Sequence, residues 1–197
     1  MEAFSSRILL TIFAFSFITH SIQANERPYQ QSNTLFIRNS CSSTTYPRLC
    51  YTSLVKHADF IQTNQMLLTG TALNVTLASA KSTSALMSTL SKGQQLNPRE
   101  AAAMKDCVEV LSDSVDELRR SIDEMSRLRT SNFEITMSDV QTWVSAALTD
   151  QNTCTDGFQE INATENVKTL VRGSIVQVAQ LTSNALALIN KLATSHG

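Results

Sequence analysis

The chain has 197 residues, 16 of them Lys or Arg and 17 Asp or Glu, for a formal net charge of -1 at pH 7. Charges this balanced and interspersed leave no electrostatic footprint for nucleic acid or for an anionic membrane surface. Hydrophobic residues make up 42% of the chain, which suits one domain with a sizeable core.

Residues 1–24 have the order of a secretory signal peptide: Arg7, the apolar run Ile8 to Ile18, then Ile22-Gln23-Ala24 with a small residue at the cut. The run is too short to anchor the chain across a bilayer. The remainder, the single domain 25–197, is therefore expected in an oxidising compartment with all four cysteines, Cys41, Cys50, Cys107 and Cys154. Two sequons, Asn74-Val75-Thr76 and Asn162-Ala163-Thr164, are candidate glycosylation sites.

Asn25 to Ser32 is polar, contains Pro28 and reads as an arm. From about residue 33 to 60 the pattern is short and broken, with Leu35, Phe36 and Ile37, then Cys41, Tyr46-Pro47 and Cys50. Pro47 forbids one helix through both cysteines, so a small hairpin closed by Cys41 and Cys50 is expected. A metal site there would need more ligands than His57 supplies. Residues 64–92 lack proline and carry Met66, Leu73, Leu77, Ala80 and Met87 at helical spacing, with Gly93 as the stop and Gly70 as the place for a kink. The seam is thin because the stretch is rich in Ser, Thr and Ala; the competing expectation is a three-helix domain with this stretch unstructured.

Asn97-Pro98-Arg99-Glu100 has the order of a helix start: a capping side chain, proline at the first position, a carboxylate at N3. Behind it Met104, Val108, Leu111, Val115, Leu118, Ile122 and Met125 form one seam on a helix of roughly 30 residues, about 45 Å long. Cys107 lies beside that seam. After a polar turn, Thr130-Ser131-Asn132, the stretch Thr136-Met137-Ser138-Asp139 has the form of a capping box, followed by Val140, Val144, Ala147, Cys154 and Phe158. Trp143 flanks this seam and is expected to be a core aromatic. A last helix is expected from near Asn162 or Thr164, with Val167, Val171, Ser174, Val178, Leu181, Ala185, Leu188 and Leu192 inward. No sustained alternation suggests a strand. The fold class is all-α: an up-down-up-down four-helix bundle over about 64–195, with an N-terminal disulfide-closed helical hairpin.

Four cysteines allow three pairings. In antiparallel helices turning near Asn132, Cys107 and Cys154 differ by only about 4.5 Å of axial rise, so they pair with each other and Cys41 with Cys50. Catalytic chemistry has no visible constellation: His57 and His196 stand apart, the five glycines are scattered, and the paired cysteines leave no free thiol. No metal or cofactor is expected, and the chain reads as a non-enzyme.

Cys41-Ser-Ser-Thr-Thr-Tyr-Pro47-Arg-Leu-Cys50 resembles the N-terminal signature of the plant invertase and pectin methylesterase inhibitor family. Lys105 to Glu109, Thr142 to Thr149, Thr153 to Phe158 and Thr182 to Leu188 resemble its later blocks, so the resemblance spans essentially the whole mature chain. It implies a secreted protein of the apoplast and cell wall that forms a one-to-one complex with its enzyme and covers the substrate cleft. The Pro-Lys-Phe motif associated with the invertase branch is absent, since no proline follows Pro98. The resemblance therefore implies pectin methylesterase as partner, with invertase as the alternative. Because the chain stops at Gly197, a free-standing inhibitor is expected rather than a pro-region. The resemblance places Glu109, Asp113 and Asp116, with Thr153 and Asp156, in the partner interface. A reading of another class is a secreted helical binding protein with no enzyme target.

Overall fold

The structure, a computed structural model, describes residues 29–93 and 96–195. The expected signal segment 1–24, the first part of the expected arm and His196 lie outside the described residues. Helices and turns account for the described chain, and no strand occurs in it. Helix α1 runs over 29–41. Residues 29–32, expected in the arm, continue this helix; all four are exposed, so no apolar periodicity marks them. The buried positions of α1 are Asn33, Ile37, Ser40 and Cys41, a helical spacing half made of polar residues.

After a turn, α2 covers Pro47–Leu54, with its proline at the helix start where a missing N–H is harmless. A 3-10 turn, Val55–His57, and the short α3, Ala58–Ile61, complete this N-terminal unit. Cys41 and Cys50 are bonded, with Cα atoms 5.6 Å apart. Asn184 fastens the unit to the bundle: its Oδ1 accepts from the Tyr46 N–H at 2.9 Å, and its Nδ2 donates to the Tyr46 carbonyl at 3.0 Å. Only an amide can serve both backbone groups, which suits the burial of this side chain.

The bundle consists of α4, Gln65–Gly93; α5, Pro98–Ser126; α6, Phe133–Glu160; and α7, Glu165–Thr194. Each packs on its sequence neighbour and α7 closes back on α4, leaving α4 and α6 on one diagonal and α5 and α7 on the other. Helix α4 is unbroken through Gly70. Its inward stripe is Thr69, Leu73, Thr76, Ala80, Thr83 and Met87, alternating four and three. Threonine takes every other inward place, and the hydroxyls of Thr69 and Thr76 are satisfied by the carbonyls of Gln65 and Ala72. This is why the apolar pattern looked thin.

The seam of α5 is displaced from its expected course. Met104, Cys107, Leu111, Ser114, Leu118 and Ser121 point inward with Val115, whereas Val108, Ile122 and Met125 are half-buried flanks. Small residues at Cys107, Ser114 and Ser121 let neighbouring helices approach closely, and apolar counting passes over serine. Helix α6 begins at Phe133, not at Thr136, which is buried inside it. Asn132 sets that start: its Oδ1 accepts from the Arg129 N–H at 2.6 Å and its amide donates to the Arg127 carbonyl at 3.2 Å, closing a 3-10 turn at Thr130–Asn132. In α7, Ile175 is buried in place of Ser174, whose hydroxyl instead bonds the Leu170 carbonyl.

One end of the bundle is held by Glu100. Asn97 Oδ1 accepts from the N–H groups of Arg99 and Glu100, both at 3.0 Å, and Glu100 Oε2 accepts from the Asn97 N–H at 3.1 Å. The other carboxylate oxygen accepts from the Thr164 N–H at 2.8 Å, in the turn that precedes α7. Glu100 is 2% exposed, and these backbone donors, Thr164 first and Asn97 second, hold its carboxyl below the usual range despite burial. Asn162 in that turn has φ 53°, a left-handed conformation that asparagine tolerates.

Candidate functional site

Glu109, Asp113 and Asp116 are exposed on one ridge of α5, as spacings of four and three require. Of the cations near this ridge, one forms an ion pair with it among the described residues. Asp116 pairs with Arg119, three residues on, both about half exposed. Arg120 turns toward α6, and Lys105 forms no ion pair with Glu109. Glu109 and Asp113 thus stand unneutralised on the ridge.

Cys107 and Cys154 are bonded, with Cα atoms only 4.3 Å apart, so α5 and α6 lie in close contact. Thr153 and Asp156 are exposed on either side of Cys154. The Thr153 hydroxyl donates to the Thr149 carbonyl at 2.9 Å, leaving its oxygen free to accept. Beside the disulfide runs a groove of about 340 Å³, whose lining includes Ala103, Val110, Thr153 and the charged residues Arg99, Asp106 and Glu160. All five residues expected at an interface therefore lie exposed on one disulfide-bonded helix pair, and Thr153 also lines the groove.

Two further features of this face escaped the sequence. Glu117 and Asp150 meet across α5 and α6. Burial first, then the Asp150 carboxylate and their shared hydrogen bond, then Asp113, push Glu117 up to about 7, against the pull of Arg120. Asp150 is also raised, by burial and Asp113, while the bond from Glu117 acts in the opposite direction. Burial beside Asp150 and Asp113 thus keeps Glu117 protonated to higher pH than a free carboxyl. The available signal was positional: each lies next to a core residue, Leu118 and Gln151, on the edge facing the other helix.

The second feature is Trp143, which is half-buried at the α5–α6 edge and not a core aromatic. The Arg120 guanidinium sits 4.9 Å from its ring centroid. The indole belongs to the same edge of α6 as Asp150, seven residues on.

Among the described residues, no group of three or more His, Cys, Asp or Glu could hold a metal ion, and no helix is long and apolar enough to cross a membrane. The class these features define is a disulfide-linked four-helix bundle with an acidic, solvent-facing helix pair. Residues 35–188 match the family of plant invertase/pectin methylesterase inhibitors, and the chain belongs to that family.

Pectinesterase inhibitor 9 of Arabidopsis thaliana is 43% identical over 191 residues, covering 93% of this chain and 94% of the relative. Pectinesterase inhibitor 10 of the same plant is 47% identical over 168 residues, and there the match spans 84% of this chain but 53% of the longer relative. The 21 kDa protein of Daucus carota is 45% identical over 82% of this chain and 85% of its own length. In fold, the chain is similar to the crystal structure of mutant form A of a pectin methylesterase inhibitor from Arabidopsis, with a TM-score of 0.60 at 23% identity, over 76% of this chain and 92% of that one.

Proposed function

We propose that this protein is a secreted inhibitor of plant pectin methylesterase. It docks the outer face of α5 and α6 over the enzyme's substrate cleft in a one-to-one complex, and so limits demethylesterification of pectin in the cell wall. The observation that carries the reading is its 40–47% identity to several proteins that bear the name pectinesterase inhibitor, two of them matched over 94% and 100% of their length.

Glu109, Asp113 and Asp116 on α5 and Thr153 and Asp156 on α6 form the contact. Their exposure on a single disulfide-bonded helix pair supports this, as does the shortage of cations among them. A partner surface carrying basic groups would meet complementary charge there. Residues 1–24 direct export, and Asn74 and Asn162 are glycan acceptors. Asn74 is exposed on α4, diagonal to α6, so a glycan there leaves the α5–α6 seam open.

The test is to mix the purified oxidised protein separately with a plant pectin methylesterase and with a plant invertase. Stoichiometric loss of demethylesterification with unchanged invertase activity is expected. The reverse outcome would move the chain to the invertase branch, and no effect on either enzyme would favour a helical binding protein of another kind.

A further inference from the structure

Trp143 is the one tryptophan in the chain, and it is placed where a core aromatic would be wasteful. Neighbouring Val140, Val144 and Ala147 are fully buried, while the indole lies at the α5–α6 boundary in partial contact with water. Arg120 lies over it at 4.9 Å, so a planar cation and a planar aromatic form one surface unit. Holding both side chains in place before any encounter lowers the ordering cost of binding, and Trp and Arg are the residue types on which interface energy concentrates.

The unit also continues the face already described. Arg120 follows Asp116 by one helical turn on α5, and Trp143 precedes Asp150 and Thr153 by seven and ten residues on the same edge of α6. Between the indole and Thr153 lie the Glu117 and Asp150 carboxyls, with Asp113 beside them. An aromatic plate is thus bordered on one side by carboxyl groups.

We propose that Trp143 and Arg120 are the anchor of the enzyme contact, extending it along α5 and α6 from the disulfide toward the Thr130–Asn132 turn. The occupant is the rim of the pectin methylesterase cleft, presenting a basic side chain whose carbon stem lies against the indole and whose charge reaches the carboxyl row. This rests on the functional reading above. It adds a hydrophobic, desolvated centre to a contact otherwise made of exposed charges, which by themselves tune encounter rate more than affinity.

The single tryptophan makes the test direct. The full mature chain labelled with 5-fluorotryptophan gives one fluorine resonance, which is followed by NMR during titration with unlabelled pectin methylesterase, alongside an activity assay of the same mixture. The resonance should move to a new position as inhibition saturates and should lose its H₂O/D₂O solvent isotope shift. Arg120→Ala and Trp143→Ala should each weaken binding about tenfold or more. Stoichiometric inhibition with an unmoved resonance and an unchanged isotope shift would overturn this proposal while leaving the functional reading intact. Absence of inhibition would overturn the functional reading, and this one with it.

Discussion

Gln151 donates through its Nε2 to Ser114 Oγ at 2.8 Å, with both side chains wholly buried between α5 and α6. The other end of the same amide accepts from Thr182 Oγ1 at 2.9 Å, and that hydroxyl is shared with the Val178 carbonyl. Three helices are therefore joined by one polar chain in the middle of the core. Its members are satisfied by each other, so removing one leaves another unpaired at a cost larger than the bond itself.

Ser114→Ala removes one oxygen atom yet should cost about 1–3 kcal/mol, because it orphans a buried amide N–H. Adding Gln151→Leu to that variant should recover part of the loss. Urea unfolding of the two singles and the double gives the coupling. If the free energies add within about 0.5 kcal/mol, the residues do not act as a unit.

Glu100 makes stability depend on acid in a definite direction. Its folded carboxyl lies below the usual value, so its contribution is present above the unfolded pKa and is lost as pH falls through the lowered one. Glu100→Gln keeps one acceptor oxygen in place of two. It should lower Tm by several degrees at neutral pH, with the gap to the wild type closing under strongly acid conditions. A gap independent of pH would mean that the carboxylate charge plays no part in joining α5 to the α6–α7 turn.

Glu117 acts in the opposite direction. Its folded carboxyl is raised to about 7, so the unfolded chain ionises first as pH rises from about 4.5, and stability falls between there and about 7. The group is partly exposed, and after allowance for screening the effect is on the order of 1 kcal/mol. Glu117→Gln should match the wild type near pH 4.5 and exceed it at pH 7.5 in thermal or urea unfolding. Equal stability at both pH values would mean that Glu117 titrates in the folded protein as it does in the unfolded chain.

The two disulfides should differ in worth. Cys107–Cys154 spans 47 residues and Cys41–Cys50 spans 9. By loop entropy the first constrains the unfolded chain by about 4 kcal/mol and the second by about 2.6 kcal/mol. Paired serine substitution at Cys107 and Cys154 should therefore lower the urea midpoint more than the same change at Cys41 and Cys50. The reverse order would place the dominant role of the bridges in the folded state.

The helices that were easiest to read carry their signals in local chemistry. Asn97-Pro98 and Glu100 form the expected cap, and Gly93 ends α4. Misplaced seams share one cause. Threonines in α4 and serines at 114 and 121 occupy inward positions that hydropathy assigns to the surface, because their hydroxyls find carbonyl or amide partners only once the helices pack. Ile175 was overlooked for the adjacent Ser174 because both fall close to the same helix face, and only the packed partner decides between them. The second bond of Glu100, to Thr164, joins residues 64 apart and leaves no local trace.

On the candidate face, the ridge of Glu109, Asp113 and Asp116 was readable because it depends on one helix alone. Glu117–Asp150 and Arg120–Trp143 depend on the register between two helices. Side chains lean toward the N-terminus of their own helix, so in an antiparallel pair the residues that meet are offset from those level with the disulfide. Neither partner could be chosen before that register was known.

The central claim is that the outer face of α5 and α6 binds pectin methylesterase, and the most direct measurement is the dissociation constant of Asp116→Ala and Asp156→Ala against the unmodified protein, with Tm recorded for each. Both side chains are exposed, and the Asp116–Arg119 pair contributes little to folding. The account predicts that each substitution weakens the complex about fivefold or more, about 1 kcal/mol, with Tm nearly unchanged. If both leave the dissociation constant within about twofold, about 0.4 kcal/mol, the contact lies elsewhere on the bundle.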